Sequence, residues 1–311
     1  MVRKSKADPW QRVKEHTVLE ADSWLKFFPQ PQRFPACDVC WGKRVLHICD
    51  KFVIIDKPPC LPCQGVESNV RETAPTCAAS ALRLPSLILA HRLDSCASGA
   101  LVLARTRAAQ SIFTRLQAGT RVHQGGVLKE YRAVVESALS ERLRGCPVTH
   151  YMAPPSRGPA LLRTQNVADG SWKKCVLEIL DCAPTNVHPS HLTESELAQR
   201  EAGPGQGLHE VRIRLVTGRR HQIRAQLAAL GSPIWRDSLY APLSGLTLDV
   251  EGLGDDEAAA CIDKIDEAVD APDYPERIAL QAMRVKLLDI DVCANTPWWL
   301  LPRDDDAACP E

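Results

Sequence analysis

HRLDSCASGALVLA, residues 91–104, sets a charged tetrapeptide, a Ser-Gly turn and a compact apolar run end to end. The run Gly99 to Ala104 reads as a strand. Thr106 then caps a helix that carries Ala109, Ile112, Phe113 and Leu116 on one face. Asp94 therefore falls just ahead of a strand, at a sheet edge where a cleft can form. An isolated aspartate in such a place is more often a turn former.

Upstream, Arg44 to Pro58 (RVLHICDKFVIIDKP) reads as two short strands about Asp50-Lys51, and an irregular stretch rich in Cys, Pro and Gly follows. Downstream, Leu128 to Val135 and Glu210 to Thr217 alternate as strands do. The second puts Val211, Ile213 and Leu215 on one side and Arg212 and Arg214 on the other. GRRHQIRAQLAALG, residues 218–231, then gives Ile223, Leu227 and Leu230 helical spacing with Gly231 as the C-terminal cap, so Arg224 lies in the first two turns. Ile278 to Leu288 alternates again, and with Pro297-Trp298-Trp299 is expected to close the sheet. Residues 183–208 and 242–276 are polar, acidic or Pro/Gly-punctuated, which suits insertions. The expected organisation is an N-terminal extension over 1–43, one catalytic domain over 44–303 and a C-terminal tail over 304–311.

Net charge is zero, but this is a cancellation. Residues 1–247 hold 33 Lys and Arg against 21 Asp and Glu, and residues 248–311 hold 5 against 17. A basic body suits phosphate. The acidic segment 248–276 reads as a solvated insertion or a surface for a protein partner. No apolar run approaches the roughly 20 residues of a membrane helix. The 13 cysteines, an odd and scattered count, suit a reducing compartment. Asp8, Glu15, Glu20 and Asp22 sit where a transit peptide avoids acids. The expected location is cytoplasmic, with nucleus or organelle as alternatives.

Four segments recur in order: Lys57-Pro58; His91-Arg92-Leu93-Asp94 with Ser98-Gly99; Lys129-Glu130-Tyr131; and Thr217-Gly218-Arg219-Arg220-His221-Gln222-Ile223-Arg224. Their order, spacing and flanking strands resemble those of RluA-type RNA pseudouridine synthases, whose pattern runs KP, HRLD with TSG, K-x-Y, TGR-x-HQIR and G-x-PI-x-GD with a Tyr. The resemblance covers roughly Arg44 to Tyr240 and resumes at Arg277 to Ala282. It implies an α+β fold with a mixed, mainly antiparallel sheet, flanking helices and a central catalytic cleft.

It also implies that Asp94 is the essential carboxylate, Tyr131 the active-site tyrosine and Arg224 the arginine paired with the aspartate. The reaction breaks the N1–C1′ bond of uridine, turns the base and joins C5 to C1′, with no metal, redox cofactor or energy source. Asp94 attacks C1′ or takes the 2′ proton, and Tyr131 or a water it positions takes the C5 proton. The target is a uridine in a loop or bulge of rRNA or tRNA, extruded from its stack. Arg92 matches a position implicated in that extrusion, and a salt bridge at the cleft floor is the plainer role. Arg219, Arg220, His221 and Gln222 are expected at phosphates and in shaping the cleft.

The chain departs from the pattern at Ala97, Arg236 and Ala241, where the family has Thr, Gly and Gly. These touch local turns, not a catalytic group. Cys37-x-x-Cys40 and Cys60-x-x-Cys63 have the look of a structural zinc staple, or simply fill turns. The rival to an enzyme is a non-catalytic RNA-binding or assembly protein on the same scaffold, with or without such a staple.

Overall fold

The computed structural model describes residues 1–3, 10, 11, 13, 18, 21–66, 68–118, 126–154, 158–166, 170–201, 207–249 and 277–303. Most of the acidic segment (250–276) and the tail 304–311 lie outside them. Strands β1 (Val2–Arg3) and β2 (Trp24–Leu25) pair with each other. The body follows as β3 (Val45–Ile48), β4 (Phe52–Lys57), α1 (Ala74–Ala81), β5 (Ile88–Leu89), β6 (Ser98–Ala104), α2 (Arg107–Ala118), β7 (Leu128–Val135), β8 (Pro147–Met152), β9 (Leu162–Arg163), β10 (Lys173–Pro184), α3 (Glu194–Glu201), β11 (His209–Leu215), α4 (Gln222–Ala229), β12 (Leu280–Leu287) and β13 (Ile290–Cys293).

Eleven strands form one sheet in the order β3-β4-β6-β12-β7-β11-β10-β8-β9, with β5 beside β6 and β13 beside β12. Every pairing is antiparallel except β6 with β12. This is the mixed, mainly antiparallel sheet that the family resemblance implies.

β4 and β6 are buried at every residue, so their apolar runs are continuous. Phe52, Ile54 and Val102 pack against Phe113 of α2, while Val53, Ile55, Leu101 and Leu103 join the main core with Leu93, Tyr131, Ile213 and Leu227. Each large side chain so buried contributes about 1.5–3 kcal/mol. β11 is half-buried and alternates, Val211, Ile213 and Leu215 inward and Arg212 and Arg214 outward. α2 starts as expected, the Thr106 hydroxyl accepting from the Ala109 N–H at 3.1 Å.

The register sets one transverse row of functional importance. Lys57 of β4 pairs with Gly99 of β6, Gly99 with Ala282 of β12, and Ala282 with Tyr131 of β7. Gly99 has φ 108°, and a Cβ there would stand 2.4 Å from the Ala282 carbonyl oxygen. Only glycine lets β6 reach β12 at this point, which is the physical content of the Ser-Gly dipeptide.

Several expectations need correction. The irregular stretch before residue 86 contains α1, capped by Thr73, whose side chain accepts from the Thr76 N–H, with Pro75 in the first turn. The body starts before residue 44: Phe34 and Trp41 belong to the main core, and Arg33 pairs with Glu72 at 2.5 Å. The segment 183–208 is no detached insertion, since β10 runs into it and Val187 and His191 are buried. The Trp298-Trp299 pair does not close the sheet; Trp298 stacks on Trp235 at 5.9 Å, and the Trp299 carbonyl accepts from the His188 N–H. No helix among the described residues is long and apolar enough to cross a membrane.

Candidate active site

The HRLD tetrapeptide divides its labour residue by residue. His91 stacks on Phe113, and its Nε2 accepts from the Val102 N–H at 3.1 Å, so it ties the loop to β6 and α2. Burial lowers its pKa to about 3, which keeps the ring neutral. Arg92 is exposed, and its guanidinium has no ion-pair or hydrogen-bond partner among the described residues. Leu93 is core, its N–H donating to Cys63 Sγ. Asp94 ends the tetrapeptide, with its carboxylate 21% exposed and its carbonyl closing a turn with the Ala97 N–H.

Lys57 holds the next residue. Its fully buried ammonium donates to the carbonyls of Pro58 at 2.8 Å, Leu61 at 2.9 Å and Ser95 at 3.1 Å, which uses all three protons. The lysine of the Lys-Pro pair thus clamps the Asp94 loop to the end of β4. Burial lowers its pKa.

Arg224 stands in the first turn of α4. Its Nε and Nη2 donate to the two oxygens of Asp237, both at 2.7 Å, and its Nη1 faces Asp94 Oδ2 at 3.7 Å. The aspartate expected as its partner is therefore its second one. Burial alone would lower the arginine's pKa, but the Asp237 hydrogen bonds outweigh it and the pKa is raised. Tyr240 lies under the guanidinium, ring to Cζ 5.0 Å.

His221 caps α4 at φ 55° and sits between Tyr240 and Asp94. The Tyr240 oxygen accepts from the Ala160 N–H at 2.7 Å and shares a hydrogen bond with His221 Nδ1 at 3.2 Å. Burial pushes the His221 pKa down to about 4, only partly opposed by Asp94. The ring's other nitrogen, Nε2, stands 4.0 Å from Asp94 Oδ1. Tyr131 reaches the same place from β7; burial first, and then Asp94, raises its pKa.

A cleft of about 670 Å³ joins these groups and is lined by Arg92, Asp94, Lys129, Tyr131, Arg219, Arg220, His221, Gln222 and Arg224. Sequence reading placed eight of these as site residues, and they converge. Two hold roles other than phosphate contact: His221 faces Asp94, and Gln222 braces the turn. The Gln222 amide accepts from the Thr217 hydroxyl and the Arg219 N–H, and donates to Val176 and Gln226. Sequence reading assigned no role to Asp237, Tyr240 or Lys57, although all three stand in the quoted pattern.

The zinc staple is not built. Cys63 is buried beside the Asp94 loop, whereas Cys37 lies with Arg33, Asp38, Glu72 and Cys77. Among the described residues no three His, Cys, Asp or Glu side chains are grouped as a metal ion needs.

Comparison with known proteins adds an independent line. The family model described as RNA pseudouridylate synthase matches residues 51–229. The chain is 34% identical over 236 residues to RNA pseudouridine synthase 6, chloroplastic, of Oryza sativa subsp. japonica, covering 75% of this chain and 46% of that protein. It is 31% identical over 299 residues to RNA pseudouridine synthase 6, chloroplastic, of Arabidopsis thaliana, covering 90% and 61%. The chain thus spans about half to three-fifths of these plant proteins. The solved structure of human RNA Pseudouridylate Synthase Domain Containing 4 superposes with a TM-score of 0.53 at 17% identity, over 87% of this chain and 96% of that one. Human RNA Pseudouridylate Synthase Domain Containing 1 gives 0.51 at 19%, over 82% and 84%. At those identities the likeness is one of fold.

Proposed function

The chain belongs to the RNA pseudouridylate synthase family, and from that premise we propose that it isomerises uridine to pseudouridine in RNA, with Asp94 as the reacting carboxylate. The observation that carries the proposal is the setting of Asp94 in the cleft, faced by an arginine that Asp237 holds in place. A fixed cation beside a carboxylate keeps it ionised and aims it.

The reaction balances within the substrate: the N1–C1′ bond breaks, C5–C1′ forms, and the C5 proton leaves as N1 gains one. Asp94 starts it by attack at C1′ or by removal of the 2′ proton. Tyr131 stays a phenol because burial and Asp94 raise its pKa. A water held by that hydroxyl, rather than a phenolate, then takes the C5 proton. His221 stands with Nε2 4.0 Å from Asp94 Oδ1 and adds a polar ring to the carboxylate's surroundings.

Arg92, exposed at the cleft and without a partner among the described residues, fits the role of bracing RNA from which a base has been extruded better than that of a floor salt bridge. Arg219 and Arg220 line the cleft, which supports a role for them at phosphates. The target is a uridine in a loop or bulge of rRNA or tRNA. Two relatives carry chloroplastic in their names and another, RNA pseudouridine synthase 4 of Arabidopsis thaliana, mitochondrial, which favours the organellar alternative over the cytoplasmic one.

The test maps pseudouridine across cellular RNA in cells carrying the native protein or Asp94→Ala. Loss of modification at defined uridines, with the protein level unchanged, supports the reading and names the target. An unchanged map, together with no isomerisation by the purified protein, hands the lead to the RNA-binding or assembly reading.

A further inference from the structure

Lys129 of the Lys-Glu-Tyr motif lines the cleft, yet the site described above gives it no work. It shares a face of β7 with Tyr131 and opens on the same cleft, yet it is 7% exposed. Its ammonium has no hydrogen-bond or ion-pair partner among the described residues. A mostly buried lysine that opens on a cleft, with no counter-charge of its own, is a candidate for meeting a ligand there.

We propose that Lys129 is an anion-binding residue of the cleft that takes a phosphodiester of the entering RNA. This rests on the reading of the chain as an RNA-modifying enzyme and deepens it. Among the described residues, what surrounds the ammonium supplies no counter-charge. Val285 stands directly opposite on β12, and at Gly218 a Cβ would lie 3.4 Å from Nζ and 3.6 Å from Gln117 Nε2 of α2. An anion at this corner therefore meets an ammonium, an amide N–H and a wall without a side chain.

The charged groups nearby leave that corner cationic. His91, which feels the ammonium, is neutral, and Arg92, Arg219 and Arg220 line the same cleft with the same sign. Asp94 is faced by Arg224 and His221. Glu130, Arg214, Arg284 and Lys286 belong to the other face of the sheet, where Glu130 pairs with Arg214 and Arg284, and Lys286 with Asp291. Burial lowers the Lys129 pKa to about 8. The ammonium is then mostly charged at pH 7 and loses its charge as pH rises through 8, so affinity for RNA falls on the alkaline side.

The experiment measures binding of the full chain to a fluorescent RNA hairpin with an all-uridine loop, in an Asp94→Asn background so that no turnover intervenes. Lys129→Met keeps the length and loses the charge; Lys129→Arg keeps the charge at every pH. The expected result is about tenfold weaker binding for Lys129→Met and a salt slope shallower by about one. Affinity of the parent should fall between pH 7 and 9 while that of Lys129→Arg holds. Equal affinity and slope for Lys129→Met, with thermal unfolding showing it folded, overturn the proposal. So does unchanged binding joined to a lower kcat when Asp94 is restored, which would put Lys129 in the chemistry. No binding by the parent itself sinks the RNA reading, a separate failure.

Discussion

Arg224 faces Asp94 at 3.7 Å with the only nitrogen that Asp237 leaves over. The bidentate Asp237 pair fixes the plane of the guanidinium, and that plane decides where Nη1 points. Asp237 thus acts on the reacting carboxylate through the arginine.

Asp237→Ala would leave the Arg224 charge buried and half-paired. Removing one partner of such a pair costs about 3–5 kcal/mol. Denaturant unfolding should show a loss of that size, and turnover should fall through kcat more than KM. A variant as stable as the parent would mean that the pair carries little.

Acid should destabilise the fold through two buried histidines. The pKa of His221 is lowered to about 4 and that of His91 to about 3, against about 6.5 in the unfolded chain. Both rings are neutral in the fold, so their stabilisation is fully present above pH 6.5 and is lost as pH falls toward 4 and then 3. His221→Gln, which cannot be protonated, should flatten the drop in stability between pH 6.5 and 4 by up to about 3 kcal/mol. An unchanged drop would show that His221 is charged in the fold.

Arg236 occupies the position where the resembled pattern has glycine, and its φ of 68° shows why glycine suits it. The side chain offsets the strain: it lies 4.5 Å over the Trp235 ring and donates to the His191 carbonyl. Trp235 in turn donates to Glu196 at 2.9 Å. Arg236→Ala loses the contacts and keeps the strained φ, whereas Arg236→Gly loses the contacts but relieves the strain. Thermal unfolding should rank the parent above Arg236→Gly and Arg236→Gly above Arg236→Ala, the two variants apart by about 1 kcal/mol. Equal stability for the variants would contradict the strain at this residue.

These residues also mark the limit of what a sequence can tell. The strands around Asp94, Tyr131 and Arg224 were legible because alternation and apolar runs are local signals, and the ordered motifs tied them to one cleft. Asp237 was visible as a letter of a motif, but its value lies in meeting Arg224 thirteen residues back. The role of His191 and Glu196 was hidden for the same reason, since their partners are residues 235, 236 and 301. α1 escaped because its eight residues, APTCAASA, are mostly small and give little periodicity. The cysteine pairs misled in the opposite sense: the spacing suggests zinc, yet the fold sends Cys37 and Cys63 to different neighbours.

The central claim is that Asp94 drives an isomerisation at C5 of uridine, and tritium release from RNA labelled at uridine C5 tests it most directly. The native protein should release tritium in step with pseudouridine formed. Asp94→Asn should bind the same RNA and release it at least about 10³-fold more slowly. Release by Asp94→Asn at the native rate would contradict the account.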